Sequence, residues 1–539
     1  MFHFPFKKNR KPNNDQSAKP PEQVCGNSAG ADTEGGKTGA ISAAIDDNLK
    51  FLSNYFGSGI GLHENKYEFS EYGIQFGLVY IDSITDKELI RNDVLLPLLR
   101  FEDKLKFQSP DHVLGLMQSR ILTATHTQVL SNMDEVTQKL VSGYTVLFLE
   151  GGSDALVIGS RKVEKKAIEV PANETTVLGS QESFNDDLTT NTCLILKRLP
   201  VPKLRIEEYT LGRLSQTKAK LVWLDGIADP NIIQEAKNRL GRIDIDNVDG
   251  IGALAQLIED KAWSIFPKFR QTERPDMTVK GLTDGRFAIL CDNSPFAFVA
   301  PISFWECFKT MDDYQDKPIV SSYLRIIRYV GFLLATLISS LYLAFVTYNQ
   351  VIIPPSLALN IAAGREGVPF PSVLELLLLT FLMTIIREAG LRLTGSVGYF
   401  IGTLAAVVIG QAVVTAGYLS AALIIIVAVS TIANFAVSTT TLVYPAKLLN
   451  YYFILLAGMF GIFGIVNGLV FLYWHLVSLS SFGVPYLNPV VPFDKDGFKD
   501  TFIHFSFGAM KKRMKRLAPQ NRVRVGEGGI IGAQEGDGA

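Results

Sequence analysis

Ser430, Asn434, Ser438 and Thr441 follow one another at intervals of four, four and three, the spacing that stacks side chains along one stripe of an α-helix. Hydroxyl and amide oxygens stacked in this way can replace part of the hydration shell of an ion; the same small polar residues also hold packed membrane helices together. A second helical face, Leu404, Val408, Gln411 and Thr415, is apolar at one end and polar at the other, as in a constriction that gates by dewetting beside a wider conducting stretch. Glu375, Arg387 and Glu388 are charges in or beside an apolar segment, suited to a gate or selectivity charge, or to an ion pair at a protein interface. In the polar half of the chain Glu273, Arg274 and Asp276 set an arginine between two carboxylates. That combination makes a charge-assisted bidentate pair, across a subunit contact or inside a loop ahead of Pro275.

Other chemistries find little support. Gly35-Gly36-Lys37-Thr38 has the ending of a phosphate-binding loop, but its first glycine would fall at Ala31 and no strand or helix flanks it. Gly151-Gly152-Ser153 lacks the spacing of a dinucleotide loop and reads as a turn. Cys25, Cys193, Cys291 and Cys307 form no CxxC pair, and the six histidines form no HExxH. No disulfide framework, metal site or cofactor is expected. No nucleophile, base and oxyanion donors can be assembled by spacing, so an enzyme is not expected. A net charge of -1 leaves no footprint for nucleic acid.

The elements that carry these residues divide sharply. From Leu393 to Ala446 more than fifty residues pass without an Asp, Glu, Lys or Arg, and a membrane-spanning helix needs about 20 apolar residues. Five apolar segments are expected near 326–346, 373–386, 397–416, 419–443 and 452–476. The second is short and charged, and is expected to be re-entrant rather than a full span. Arg325 and Arg328 before the first segment, and the run Lys511-Lys512-Arg513-Met514-Lys515-Arg516 after the last, are positive flanks that place both ends on the cytosolic side. Four full spans satisfy that condition. The start, MFHFPFKKNRKPNN, has no apolar core of a signal peptide.

The fold class is therefore a multidomain membrane protein: a cytosolic α/β (α+β) region of two subdomains, then an α-helical bundle of about four spans plus one re-entrant segment. The expected divisions are a disordered arm at 1–42, subdomains at 43–138 and 139–315, a transmembrane domain at 316–480, and a basic, Gly-rich cytosolic tail at 481–539. Strands are expected at 76–81, 144–149, 155–158, 218–224 and 286–291, with helices near 231–240 and 250–260.

Several local patterns occur in one order: Glu174, Gly179 and Glu182-Ser183-Phe184; Asn191 and Lys197-Arg198; Phe266-Pro267; Thr272-Glu273-Arg274-Pro275-Asp276; Gly285-Arg286; Asp292, Ser294 and Pro295; Asp312-Asp313-Tyr314. With Ile386-Arg387-Glu388-Ala389-Gly390 and Ile409-Gly410-Gln411-Ala412, the chain resembles the A subunit of spore germinant receptors, the GerA family, over roughly residues 45 to 490. Two positions depart from the family pattern: Lys197 lies where an Arg-rich run is expected, and Ser180 replaces the usual Pro. The resemblance implies a multi-pass protein of the spore inner membrane that works with a permease-like B subunit and a lipoprotein C subunit. It further implies a homo-oligomeric ring around an ion path that opens on nutrient binding and releases monovalent cations; a non-conducting scaffold subunit is the alternative. A nutrient receptor subunit and a relative such as the stage V sporulation protein AF both fit.

Overall fold

The computed structural model describes residues 39–392 and 415–525, apart from 58, 70–73, 100–112, 116, 119–121, 123–125, 163–170, 172–173, 175, 177–178, 262, 438–439 and 518–519. The expected disordered arm, with the Gly35–Thr38 run, lies almost wholly outside the described residues.

The polar half is one structural unit built twice. Helix α1 (Ile45–Phe56) precedes strands β1 (Leu62–Phe69) and β2 (Ile74–Ile81); β3 (Thr127–Leu130), helix α2 (Met133–Val141), β4 (Tyr144–Leu149) and β5 (Ala155–Gly159) follow. The second copy runs α3 (Leu188–Arg198), β6 (Leu204–Leu211), β7 (Thr217–Leu224), α4 (Pro230–Gly241), α5 (Gly250–Ile258), β8 (Arg270–Thr272), α6 (Pro275–Thr283), β9 (Phe287–Cys291) and β10 (Ala297–Ala300). Their sheets have the same order, β1-β2-β4-β5-β3 and β6-β7-β9-β10-β8, with antiparallel pairing throughout. The expected boundary at 138/139 is corrected by this pairing, because β4 and β5 complete the first sheet rather than beginning the second unit. An apolar run signals a strand but not which sheet it joins.

Helix starts follow local chemistry. Asp187 accepts from the backbone N–H groups of Thr189 and Thr190, Asn132 from Asp134, and Asp229 from Asn231 ahead of Pro230 in the first turn, each satisfying donors the helix leaves open. The strands bury both faces in alternation. Val146 and Phe148 join the core between the two sheets, while Leu147 and Leu149 face the other side; Ala288 and Leu290 join that same central core, while Phe287, Ile289 and Cys291 pack under α4 and α5. Side chains of α1, α2 and α3 fill the central layer, so one continuous core serves both copies.

The apolar half contains α7 (Pro318–Thr347), α8 (Pro355–Ala363), α9 (Ser372–Arg392), α10 (Ala421–Phe435) and α11 (Thr440–Ser478). Among the described residues α7 and the apolar stretch that forms α11 are long and apolar enough to cross a membrane, α11 with a break at Gly461. Three expectations change. The second apolar segment, expected to stop near 386, continues through Arg387 and Glu388 as a helix of 21 residues. The fourth ends as a helix at Phe435, with Ala436 as its C-cap. The fifth is folded back on itself: Gly461, at φ 60 and ψ -139, interrupts α11.

That fold-back is required by the packing. Residues 453 and 468 of one straight helix would be about 22 Å apart at 1.5 Å per residue, yet a Cβ on Gly468 would meet the Phe453 ring and Leu456. A Cβ on Gly464 would collide with the Leu456 carbonyl. The two arms, 440–460 and 462–478, therefore run antiparallel through a turn only Gly461 permits, and they touch where glycines remove side chains. Gly461→Ala is expected to destabilise the protein by about 1–3 kcal/mol, since its Cβ would also lie 3.0 Å from Tyr348 Cβ; thermal unfolding of the detergent-purified protein measures this.

Candidate functional site

Among the described residues a dense charged site lies where the α/β unit meets the first long helix. Asp500 receives neighbours on both carboxylate oxygens: Oδ1 accepts from Arg325 Nη1 at 3.1 Å and lies 3.2 Å from His504 Nδ1, while Oδ2 accepts from Lys309 Nζ at 3.1 Å and Tyr314 Oη at 2.8 Å. Lys309 also donates to Glu306 at 2.6 Å, and Glu306 accepts from Arg286 Nη1 at 3.0 Å. Asp313 completes the arrangement, accepting from Arg325 Nε at 3.2 Å and from Arg328 Nη1 at 2.7 Å. Arg270 donates to the backbone carbonyls of Glu306 and Lys309. Four parts of the chain thus meet here: the second sheet, the linker after β10, the start of α7, and the segment after α11.

Arg325, expected as a positive flank on the cytosolic side of the first segment, is 0% exposed. The reason is the two carboxylates it meets, one of them 175 residues away, since a buried guanidinium is tolerated only where its charge is matched. Burial alone would raise the Glu306 carboxyl, but the charges of Arg286 and Lys309 hold it well below its ordinary value. Asp500 is likewise held well below its ordinary value, with burial opposed chiefly by Lys309, His504, Lys280 and Arg325. Burial, with the Asp500 charge, keeps the Tyr314 phenol protonated. Burial also pushes the Cys307 thiol up to about 12 and the Cys291 thiol up to about 11.

A second attachment holds the far end of α11. Lys261 Nζ donates to Ser478 O at 2.7 Å, Ser264 Oγ lies 3.0 Å from His475 Nε2, and Tyr486 Oη donates to Pro267 O at 2.6 Å. The segment after α11, expected as part of a tail, packs Phe482, Val484 and Leu517 into the core beneath the second sheet. Within the basic run Arg513 Nε donates to Thr283 O at 2.7 Å, so part of that run lies against the soluble unit.

The family-like patterns of the soluble half converge on Arg274. Its guanidinium meets Asp276 at 3.1 and 2.7 Å, and also donates to Glu174 O, Thr176 Oγ1 and Ser180 O. Glu273, Arg274 and Asp276 are all buried, so the pair expected at a subunit contact or inside a loop is inside the chain. The two departures interlock nearby: Glu182 accepts from Lys197 and Arg198 at 2.6 Å each, and Arg198 also donates to Ser180 Oγ at 2.6 Å.

In the helical region the expected polar stripe is divided. Ser430 and Asn434 lie buried on α10, Thr441 lies in the first turn of α11, and Ser438 lies outside the described residues. Ser430 Oγ donates to Ala335 O at 2.9 Å, joining α10 to α7. Of the competing face, Leu404, Val408 and Gln411 lie outside the described residues, and Thr415 is exposed. Glu375 is buried; its Oε2 accepts from Ser420 N at 3.2 Å and its Oε1 lies 3.6 Å from Arg365 Nη2. Arg387 lies with its guanidinium carbon 5.4 Å from the centroid of the Phe435 ring. Glu388 follows it on α9. The junction around Asp500 was missed by sequence reasoning, although Asp313, Arg286 and Arg325 had each been singled out. Glu306 and Asp500 carried no local signal.

Comparison with known proteins places the chain. The family model described as "Bacillus/Clostridium GerA spore germination protein" matches residues 51–516. The chain is 32% identical over 488 residues to spore germination protein KA of Bacillus subtilis, covering 90% of this chain and 89% of that protein. It is 32% identical over 484 residues to spore germination protein B1 of the same organism, covering 90% and 99%. The uncharacterized membrane protein YfkQ of Bacillus subtilis is 34% identical over 473 residues, covering 88% and 91%. Among solved structures, the N-terminal domain of the A subunit of the Bacillus megaterium spore germinant receptor GerK3 matches at 25% identity and a TM-score of 0.40, covering 50% of this chain and 98% of that one.

Two outcomes follow from the junction. Asp500→Asn removes one of the two carboxylates that each of Lys309 and Arg325 meets, leaving Glu306 and Asp313 as their remaining countercharges, and is expected to destabilise by about 3–5 kcal/mol. Because the folded carboxyls of Glu306 and Asp500 are depressed, their contribution is present above their ordinary values of 4.5 and 3.8 and is lost as the pH falls further; the acid limb of the unfolding temperature against pH should be shallower in Asp500→Asn than in the natural chain. Cys291 and Cys307 should stay unmodified by iodoacetamide at neutral pH in the folded protein and react once it is denatured, as read by mass spectrometry.

Proposed function

The chain belongs to the GerA family of spore germination proteins, and from that premise we propose that it is the A subunit of a germinant receptor, forming an oligomeric nutrient-gated ion channel in the spore inner membrane. Its soluble unit faces the cytosol, a permease-like B subunit and a lipoprotein C subunit complete the complex, and opening releases monovalent cations. The observation that carries this reading is the double attachment of the soluble unit, through Arg325 at the start of α7 and through Ser478 at the end of α11. A displacement of that unit on assembly or signalling is carried into both helices, which is the mechanical requirement for gating from outside the membrane.

One observation favours a non-conducting scaffold. Ser430 donates to α7 and Asn434 is buried, so this part of the polar stripe packs helices in the single chain. Planar-bilayer recording of the purified complex separates the readings. A conducting subunit gives discrete cation steps whose size changes in Val408→Phe or Ser430→Leu while both variants remain in the membrane; steps unchanged in both remove these faces from the pore, and silence of the complex leaves the scaffold.

A further inference from the structure

A cavity in the helical region is lined by Thr380 and Arg387 from α9, Ser430 and Asn434 from α10, and Lys447 and Asn450 from α11. Ser430 is engaged with Ala335, but Thr380 Oγ1, Asn434 Oδ1 and Asn450 Oδ1 are buried with no hydrogen-bond partner. The two asparagines are 5% and 6% exposed. Among the described residues no carboxylate lies within 4.0 Å of either the Arg387 guanidinium or the Lys447 ammonium. Glu388, the next residue on α9, acts on the Lys447 charge only from beyond that distance.

Two cations, met by one carboxylate beyond ion-pair distance, and three open polar groups around one cavity are a standing electrostatic and hydrogen-bonding deficit. A monovalent cation would suit the oxygens but is repelled by Arg387 and Lys447. An oxyanion meets the whole set: it accepts from the guanidinium, the ammonium and the Thr380 hydroxyl, and from either amide once a half-turn of its terminal bond presents the NH2 group. Several acceptor oxygens around one charged centre match donors converging from three helices. We propose that this cavity binds a phosphate group, supplied either by the headgroup of an anionic lipid or by phosphate in solution. The site does not depend on whether the chain conducts ions.

The test uses the full chain in zwitterionic detergent and in nanodiscs, with thermal unfolding as the readout and sodium chloride at matched ionic strength as the control. The unfolding temperature should rise with inorganic phosphate, or in phosphatidylglycerol relative to phosphatidylcholine. The first result identifies a site open to water and the second a headgroup site. In the double variant Arg387→Gln/Lys447→Gln the affinity for the effective probe should fall by about tenfold or more. Asn434→Asp supplies a carboxylate from within; it should unfold at a higher temperature without ligand and lose the response, which keeps the test valid if the double variant does not fold. No response of the natural chain to either probe, or the same response in the natural chain and both variants, overturns the proposal.

Discussion

The structure turns on one buried carboxylate. Asp500 lies between Lys309, Arg325, Tyr314 and His504, groups drawn from the linker, the first long helix and the segment after the last helix. Each ion taken from water carries a penalty of several kcal/mol unless its partners are close and well directed. The cluster is therefore stable only when all its members are in place. This couples segments far apart in the sequence: the start of α7 cannot leave the soluble unit without exposing or orphaning a charge.

The soluble unit is suited to hold that junction because its two copies share a core. The same strand order recurs in both sheets, and helices between them bury Val146 and Phe148 of one with Ala288 and Leu290 of the other. Close-packed interiors transmit displacement rather than absorb it. The second sheet also delivers Arg286, just ahead of β9, to Glu306 at 3.0 Å. Sheet, linker and α7 are thereby joined by direct ion pairs rather than by a flexible tether.

The helical region follows a different logic. Small residues bring backbones together: Gly331 faces Ala433 and Ala436, Gly458 faces Val373, and Gly464 and Gly468 let the two arms of α11 close on each other. Polar groups either join helices, as Ser430 does with Ala335, or gather in the cavity beside Arg387 and Lys447. Polar groups of this region are thus concentrated where α9, α10 and α11 approach.

Much was legible before any coordinates. Apolar runs located β2, β4, β5, β7 and β9, and the periodicity located α4 and α5, because strand and helix repeats are properties of neighbours in sequence. The motif order identified the family, and the uncharged stretch marked an apolar half apart from a polar one. The short strands β3, β8 and β10 were not foreseen, since three to four residues carry too little periodicity to distinguish a strand from a loop.

What the chain's own order determined was composition, pattern and kinship: which stretches seek apolar surroundings, and which ancestral motifs they carry. Tertiary structure alone decided the rest. Pairing placed β4 and β5 in the first sheet, Gly461 folded α11 into two arms, and Asp313 and Asp500 made the flanking Arg325 a buried ion. In each case the deciding contact joins residues separated in sequence, and a charge's burial depends on the partner that reaches it, not on its neighbours along the chain.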